Sequence, residues 1–517
     1  MNRIIWVDDE ISLLKPHIMY LEKKGYGIDT ATNGYDAVKM IKDQGYDLVI
    51  LDEMMVGLDG LETLRQIKTV DTTIKAIMVT KSEEEGIFLE AVGSMIDDYL
   101  TKPVSPLQLY LTIRKNLEKE DLITENLSKS YIKNYKIISG MLDKDPSFDD
   151  WIAINGMITG WNLRLDEIKD NNLAATFDDL RANANVIFGS YIQENYGKWL
   201  AGNNDKPLLS TDILDRFVIP SLRNEKTALI VIDCFPFDQM TMIEELLKDK
   251  FTVVKDSYFS ILPTATQFAR NAIFSGLFPS EIEEMYPEIY SGNLEDEKSS
   301  NRFEYELMEK KLVSNGIDLG KKLKYSKVFK IEEFSKIESA INDLKDTQLF
   351  ALVVNMVDFL IHNRKKDELV SEMMFTESSY RSTIKSWFDN SALQRIINSL
   401  GDLGFKIVIT TDHGAKLINK FTKVSGDGQL SNGLRMKFGK NLTTSNKKQT
   451  LYWQKPTEYK MPSVFKGMNM ILAKEDHCFV FEKNLNDFYK QIKNSFQHGG
   501  VSMEEMILPI LTLKKKK

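Results

Sequence analysis

Only five histidines occur in 517 residues, and three of them follow apolar runs in which a strand should be ending. KIVIT leads into Thr411-Asp412-His413-Gly414. ALVVNMV leads into Asp358, with His362 four residues on. SFQ leads into His498 and a glycine pair. Asp358 and His362, at i and i+4, share one face of a helix, a spacing that suits two ligands of one metal. Asp412 and His413 are adjacent at a strand exit, where the chain bends and both can point inward. Imidazole and carboxylate in roughly tetrahedral array are the donors zinc prefers, and two such ions close together clamp a displacement at phosphorus. TALIVI adds Asp233 at another strand exit. SILPTATQFARN supplies two hydroxyls, Thr264 and Thr266, where a strand end turns into a helix. A threonine hydroxyl is a poor nucleophile until a metal lowers its pKa. Thr266 sits at the helix start, where backbone N–H groups can hold a phosphoryl oxygen, and Thr264 beside it is the other candidate nucleophile or a capping residue. His17 and His477 lie at no such edge and receive no role.

A second chemical set lies in the first 120 residues. IIWV ends in Asp8, Asp9 and Glu10, DLVIL in Asp52, KAIMV in Thr80, and DDYLTKPV carries Lys102 before a proline. Three carboxylates converging on one spot repel unless a cation joins them, and a hard oxygen site with waters suits Mg²⁺. Asp52, last in its strand, is the natural phosphoryl acceptor; a lysine and a threonine hydroxyl can hold the phosphoryl oxygens.

The elements that must position these residues follow from periodicity. Near the N-terminus, short apolar runs alternate with amphipathic patterns such as GYDAVKMIKDQ, which predicts a doubly wound parallel sheet with its site at the carboxyl edge. Residues 104–205 carry helical periodicity throughout and predict a helical-bundle connector. Asp149 or Asp150 serves there as an N-cap, and Trp151, Trp161 and Trp199 serve as core anchors. From about residue 206 the alternation returns and predicts a second, larger α/β sheet. The expected division is 1–120, 121–205 and 206–517, which agrees with the domain number expected from length.

Composition excludes some classes. Hydrophobic residues make up 43% and charged residues 27%, with net charge −8, so the chain is not one that coats nucleic acid over its whole surface. Two cysteines, Cys234 and Cys478, give no disulfide framework. No apolar run approaches the length of a membrane span and the N-terminus does not read as a signal peptide, so a cytoplasmic protein without membrane insertion is expected. No helix-turn-helix with a basic recognition face is apparent. One local patch departs from the acidic balance: residues 433–467 hold eight basic residues against a single acid, Glu458, with Phe438, Tyr452, Trp453 and Tyr459 interleaved. Basic side chains track phosphates and aromatics stack bases in single-strand binders, which makes Lys447, Lys448 and Trp453 candidate substrate contacts; a solvated loop is the alternative.

On the motifs VDDE, LDEMM, the VT pair and YLTKP, the first segment resembles a response-regulator receiver domain over its whole length. The resemblance implies Asp52 as phosphoacceptor, Asp8, Asp9 and the backbone carbonyl of Met54 as further Mg²⁺ ligands, Thr80 and Lys102 as switch and phosphate-binding residues, and Tyr99 as the aromatic switch. On the order Asp, Thr, Asp-x-x-x-His, Asp-His, His-Gly-Gly, residues 225–517 resemble the alkaline phosphatase superfamily and, within it, PglZ-type domains. That resemblance implies two zinc ions, one on Asp358, His362 and His498, the other on Asp233, Asp412, His413 and the nucleophilic hydroxyl; Thr266 matches the second threonine of the P-T-x-T pattern of related diesterases. Phe235, Pro236 and Phe237 stand where related domains have an arginine and a tyrosine, and Arg270 either substitutes for them in phosphate recognition or is a solvated helix residue. Taken whole, the chain resembles PglZ-domain response regulators tied to type IX secretion. This implies activation by a sensor histidine kinase and an enzymatic output. The expected output is a zinc phosphodiesterase acting on nucleotides or oligonucleotides and switched by phosphorylation of Asp52, with a phosphorylation-dependent homodimer. The alternatives are a phosphomonoesterase or sulfatase, and a zinc-stabilised binding module that docks a transcription or secretion-system protein.

Overall fold

The structure is a computed structural model that describes residues 2–81, 95–117, 119–168, 171–202, 205–290, 300–358, 376–427, 431, 433–462, 465–480 and 492–516. It divides into two compact units, Met1–Lys133 and Asn134–Lys517.

The first unit is a five-stranded parallel sheet built from Arg3–Val7 (β1), Gly27–Ala31 (β2), Leu48–Asp52 (β3), Lys75–Thr80 (β4) and Asp98–Thr101 (β5), in the order β2-β1-β3-β4-β5. Side chains alternate across the pleat. Ile5, Val7, Val49, Leu51, Ala76 and Met78 therefore pack on one face under α2 (Gly34–Asp43) and α3 (Gly60–Val70). Ile4, Trp6, Leu48, Ile50, Ile77 and Val79 pack on the other, under α1 (Lys15–Lys23) and α4 (Pro106–Leu117). Both faces being covered, the strands read as continuous apolar runs. Asn33 and Asp59 cap α2 and α3 by accepting from Asp36 N and Glu62 N.

Helix α5 (Lys119–Leu142) follows, then α6 (Phe148–Ile168) and α7 (Asn171–Leu200). The N-cap of α6 is Ser147, not Asp149 or Asp150. The Ser147 hydroxyl accepts from Asp150 N at 3.2 Å and Asp150 Oδ2 accepts from Ser147 N at 3.0 Å. This is a reciprocal capping box, with the acid one turn inside the helix. Trp151, Trp161 and Trp199 are all buried.

In the larger sheet of the second unit, strands Thr227–Ile232 (β6), Leu323–Val328 (β8), Leu349–Val354 (β9) and Lys406–Thr410 (β10) run parallel. Strand Ile507–Lys515 (β18) lies antiparallel between β10 and Phe251–Phe259 (β7), which gives the order β7-β18-β10-β6-β9-β8. Helices α8 (Phe237–Lys248), α11 (Glu377–Asp389) and α12 (Ala392–Asp402) cover one face. Helices α9 (Thr266–Ser275) and α10 (Glu304–Ser314) lie between β7 and β8 in the chain. Lys416–Ile418 (β11) and Ser495–Gln497 (β17) pair as a short antiparallel ribbon, which brings the chain after His413 beside the chain before His498. A separate sheet comprises Lys420–Asp427 (β12), Met436–Thr444 (β13), Thr450–Trp453 (β14), Asn469–Ala473 (β15) and His477–Val480 (β16), in the order β14-β15-β13-β12-β16. The basic segment 433–467 is thus not simply a solvated loop; Met436–Thr444 and Thr450–Trp453 within it are strands of this sheet.

Candidate functional site

In the receiver-like unit, β1, β3, β4 and β5 all end at one edge, and a parallel sheet leaves its ligand crevice there. Carboxylate oxygens of Asp8, Asp9 and Asp52 come within 4.8 Å of one another. Lys102 Nζ lies 2.9 Å from Asp52 Oδ2 and 3.3 Å from Asp8 Oδ2. Burial holds the Asp52 carboxyl above its ordinary range, against the pull of Lys102. Thr80 ends β4 fully buried, and Tyr99, half-buried on β5, packs against the core under α2 and α3. Three oxygens short of positive charge form a donor set that fits a hard divalent cation.

In the second unit, the exits of β6, β9 and β10 bring together Asp233, Asp358 and the pair Asp412-His413. Ligand atoms of Asp233, Asp412 and His413 lie within 4.8 Å of one another, and all three residues are buried. The rings of His413 and His498 stack at 4.3 Å, and His498 Nε2 is 3.6 Å from Asp358 Oδ1. His362 lies outside the described residues. Burial, with the neighbouring Asp412 charge, pushes the Asp233 carboxyl up to about 8; burial likewise raises Asp412 to about 6 and keeps the His413 imidazole below its usual value. The Asp412 Oδ2 atom is buried without a hydrogen-bond partner among the described residues. His413 Nδ1 faces the Gly414 carbonyl at 3.1 Å, and a carbonyl only accepts. The proton therefore belongs on Nδ1, and the Nε2 lone pair points into the cluster. Buried carboxylates under mutual repulsion, an orphaned oxygen and a directed imidazole lone pair together fit a divalent metal.

The two threonines separate. Thr266, first residue of α9, has Oγ1 2.9 Å from His413 Nε2 and 3.4 Å from Asp233 Oδ1. The Thr264 hydroxyl instead donates to the Gly500 carbonyl at 2.9 Å and accepts from Gly499 N at 3.1 Å, tying the PTAT turn to the loop after His498.

Arg270 is not a solvated helix residue. It is 2% exposed, one turn past Thr266. Its guanidinium donates to Asp233 Oδ2 at 2.6 Å, to Asn355 Oδ1 at 2.8 Å and to Glu304. Glu304 on α10, fully buried, also takes Lys327 Nζ at 2.9 Å and the Tyr325 hydroxyl. Sequence reasoning missed both partners. Asn355 was findable as one more polar residue at a strand exit, whereas Glu304, among the charges of EYELMEKK, carried no signal.

Trp453 is not available to stack on a base. It is 1% exposed, parallel to Tyr459 at 4.5 Å and to Tyr196 of α7 at 6.0 Å. Arg435 and Lys437 of the same basic segment are fully buried, Arg435 against Glu505. Lys447, Lys448 and Tyr452 are exposed.

Residues 213–513 match the family described as the BREX system PglZ alkaline phosphatase-like domain, residues 4–114 the response regulator receiver domain, and residues 121–200 the PorX response regulator linker domain. Among curated proteins, the transcriptional regulatory protein ResD of Bacillus subtilis is 35% identical over 145 residues, 28% of this chain and 60% of that protein. The alkaline phosphatase synthesis transcriptional regulatory protein PhoP of the same organism is 33% identical over 123 residues, 23% of this chain and 50% of that protein. The chain thus spans less than two thirds of either relative. Among solved structures, the response regulator TrrA of Thermotoga maritima is 35% identical, with 23% of this chain and 100% of that chain covered and a TM-score of 0.21.

Proposed function

The chain belongs to the PglZ alkaline phosphatase-like family and carries a receiver domain and a PorX response regulator linker domain ahead of it; from that premise we propose that it is a response regulator whose output is hydrolysis of phosphoric diesters. The observation that carries the reading is Thr266. Its hydroxyl sits at a helix N-terminus, 2.9 Å from the imidazole of His413 and 3.4 Å from Asp233. The His413 Nε2 lone pair, which here faces the Thr266 hydroxyl, is the one that would hold a metal beside that oxygen, and the positive end of α9 favours negative charge on it. Asp358 and His498, with His362, form the second half of the ligand set. Zinc bound by these residues would supply positive charge that polarises a phosphorus–oxygen bond and lowers the pKa of a neighbouring alcohol. Arg270 stands one turn from Thr266, with its guanidinium oriented by Glu304 and Asn355.

In the receiver, Asp52 accepts a phosphoryl group from a sensor histidine kinase; Asp8, Asp9, Asp52 and the Met54 carbonyl would hold Mg²⁺, which would supply positive charge against the incoming phosphoryl oxygens. Lys102 and Thr80 contact the phosphoryl oxygens, Tyr99 repacks, and the chain dimerises. Resemblance to regulators with this domain order supports a place in type IX secretion control. The exposed Lys447 and Lys448 support a nucleotide or oligonucleotide substrate.

The experiment is elemental analysis of protein purified without chelator, followed by paired diester and monoester substrates, with and without beryllofluoride. About two zinc ions per chain and preferential diester cleavage are expected. Absence of zinc, or monoester cleavage alone, rejects the reading; light scattering of the same samples tests the dimer.

A further inference from the structure

We propose that linker helix α7 is part of the output site: Asn185 positions the turn Ser502–Glu505 and, through it, the backbone beside His413 and His498. The inference takes its meaning from the hydrolase reading above.

Asn185 lies in the middle of α7 and is 1% exposed. A buried carboxamide is costly unless its donors and acceptor find partners. Its Oδ1 accepts from the amide of Met503 at 3.0 Å, and its Nδ2 donates to Glu504 Oε1 and to the Arg181 carbonyl, both at 3.3 Å. Met503 opens the single-turn helix α13 (Met503–Met506), and the first amides of any helix lack a partner within it. The residue that satisfies this one is 318 positions away.

The site rests on that turn. Gly414 N donates to the Glu505 carbonyl at 3.2 Å, and the Glu504 carbonyl approaches so closely that a Cβ at position 414 would fall 1.9 Å from it. Lys416 pairs with the Glu504 carboxylate. On the other side, Gly500 N donates to Glu505 Oε1 at 2.8 Å and the Ser502 hydroxyl to Glu505 Oε2 at 2.7 Å, while Arg435 grips both oxygens. One turn therefore touches the chain just after His413 and just after His498. Helix α7 is itself anchored. Phe188 and Trp199 pack on Phe259 of β7, Arg181 pairs with Glu377 of α11, and the Tyr196 hydroxyl accepts from Leu262 N at 2.9 Å, two residues before Thr264. The linker thus reaches three of the segments that carry the candidate groups, those of His413, His498 and Thr266.

Single-amide hydrogen exchange on the full chain, without substrate, tests this. In Asn185→Leu the Met503 amide should exchange about tenfold faster, and the Gly414 and Gly500 amides, which do not touch Asn185, about threefold or more faster. Ile230 and Val408 in the central strands should keep their protection, which separates the effect from global destabilisation. If leucine does not pack, Asn185→Ala is read in the same way. Faster exchange at Met503 alone, with Gly414 and Gly500 unchanged, overturns the proposal. A protein that shows the expected exchange pattern but hydrolyses nothing rejects the hydrolase reading alone, so the two failures are distinguishable.

Discussion

Two carboxylate clusters sit at the carboxyl edges of two sheets, Asp8-Asp9-Asp52 in one unit and Asp233-Asp412 in the other, and each faces a cation of its own chain. The first cation is Lys102, 31% exposed, beside an Asp9 that lies at the surface. The second is Arg270, 3% exposed at its side chain, its planar fork fixed by Glu304 and Asn355. A shallow cluster with a flexible ammonium can be reached by a phosphoryl donor and can rearrange afterwards. A deep cluster keeps its charges preorganised and away from water, where electrostatic interactions are strongest. On the proposed function, the same ingredients would serve a switch at one depth and a catalytic site at another.

The sharpest test of that contrast is Thr266→Val, expected to lower diester turnover by about 10³-fold or more, as loss of a nucleophile does. Steady-state kinetics checks it, and retained turnover would assign the chemistry elsewhere.

Next come matched removals of the two cations, followed by urea unfolding of metal-free protein. Arg270→Met should cost about 3–5 kcal/mol, the range for breaking a buried pair. Lys102→Met should cost about 1 kcal/mol or less, as near a surface. Equal losses would break the comparison.

Glu377 gives a pH test. Burial opposes its charge, but Arg181, Lys416 and Arg381 overcome that and hold its carboxyl down at about 2. Its folded pKa is below its unfolded one, so its contribution is complete above about pH 4.5 and is lost as pH falls towards 2. It amounts to about 3 kcal/mol. Glu377→Gln should flatten that acid limb in melts recorded from pH 6 to 2.

Thr264→Val should lower stability by about 1–3 kcal/mol through the Gly499 N–H and Gly500 carbonyl it leaves unpaired. The smallest expected effect is that of Lys447→Ala with Lys448→Ala. Oligonucleotide turnover should weaken, with a log–log salt slope shallower by about 0.7 for each phosphate no longer neutralised, while a small chromogenic diester is barely touched. Equal losses on both substrates would remove the segment from substrate binding.

Much was legible in the sequence because strand-exit positions can be read locally. An apolar run followed by Asp233, Asp358, Asp412 or Asp52 already states where a carboxylate emerges, and a parallel sheet gathers such exits at one edge. The receiver and PglZ-type motifs, the helical middle and the buried tryptophans follow from the same local patterns. Tertiary structure decided what depends on partners far away in the chain. Arg270 is buried because Glu304 and Asn355 receive it. Thr264 binds Gly499 and Gly500 while Thr266, two residues on, faces His413. Trp453 is an anchor because Tyr196 of the linker lies parallel to it, and Arg435 leaves the basic surface because Glu505 draws it inside. A residue's type and spacing state what it can bond to; which partner it meets is set by the packing of elements hundreds of positions apart, because a buried polar group takes the partner that close packing brings to it.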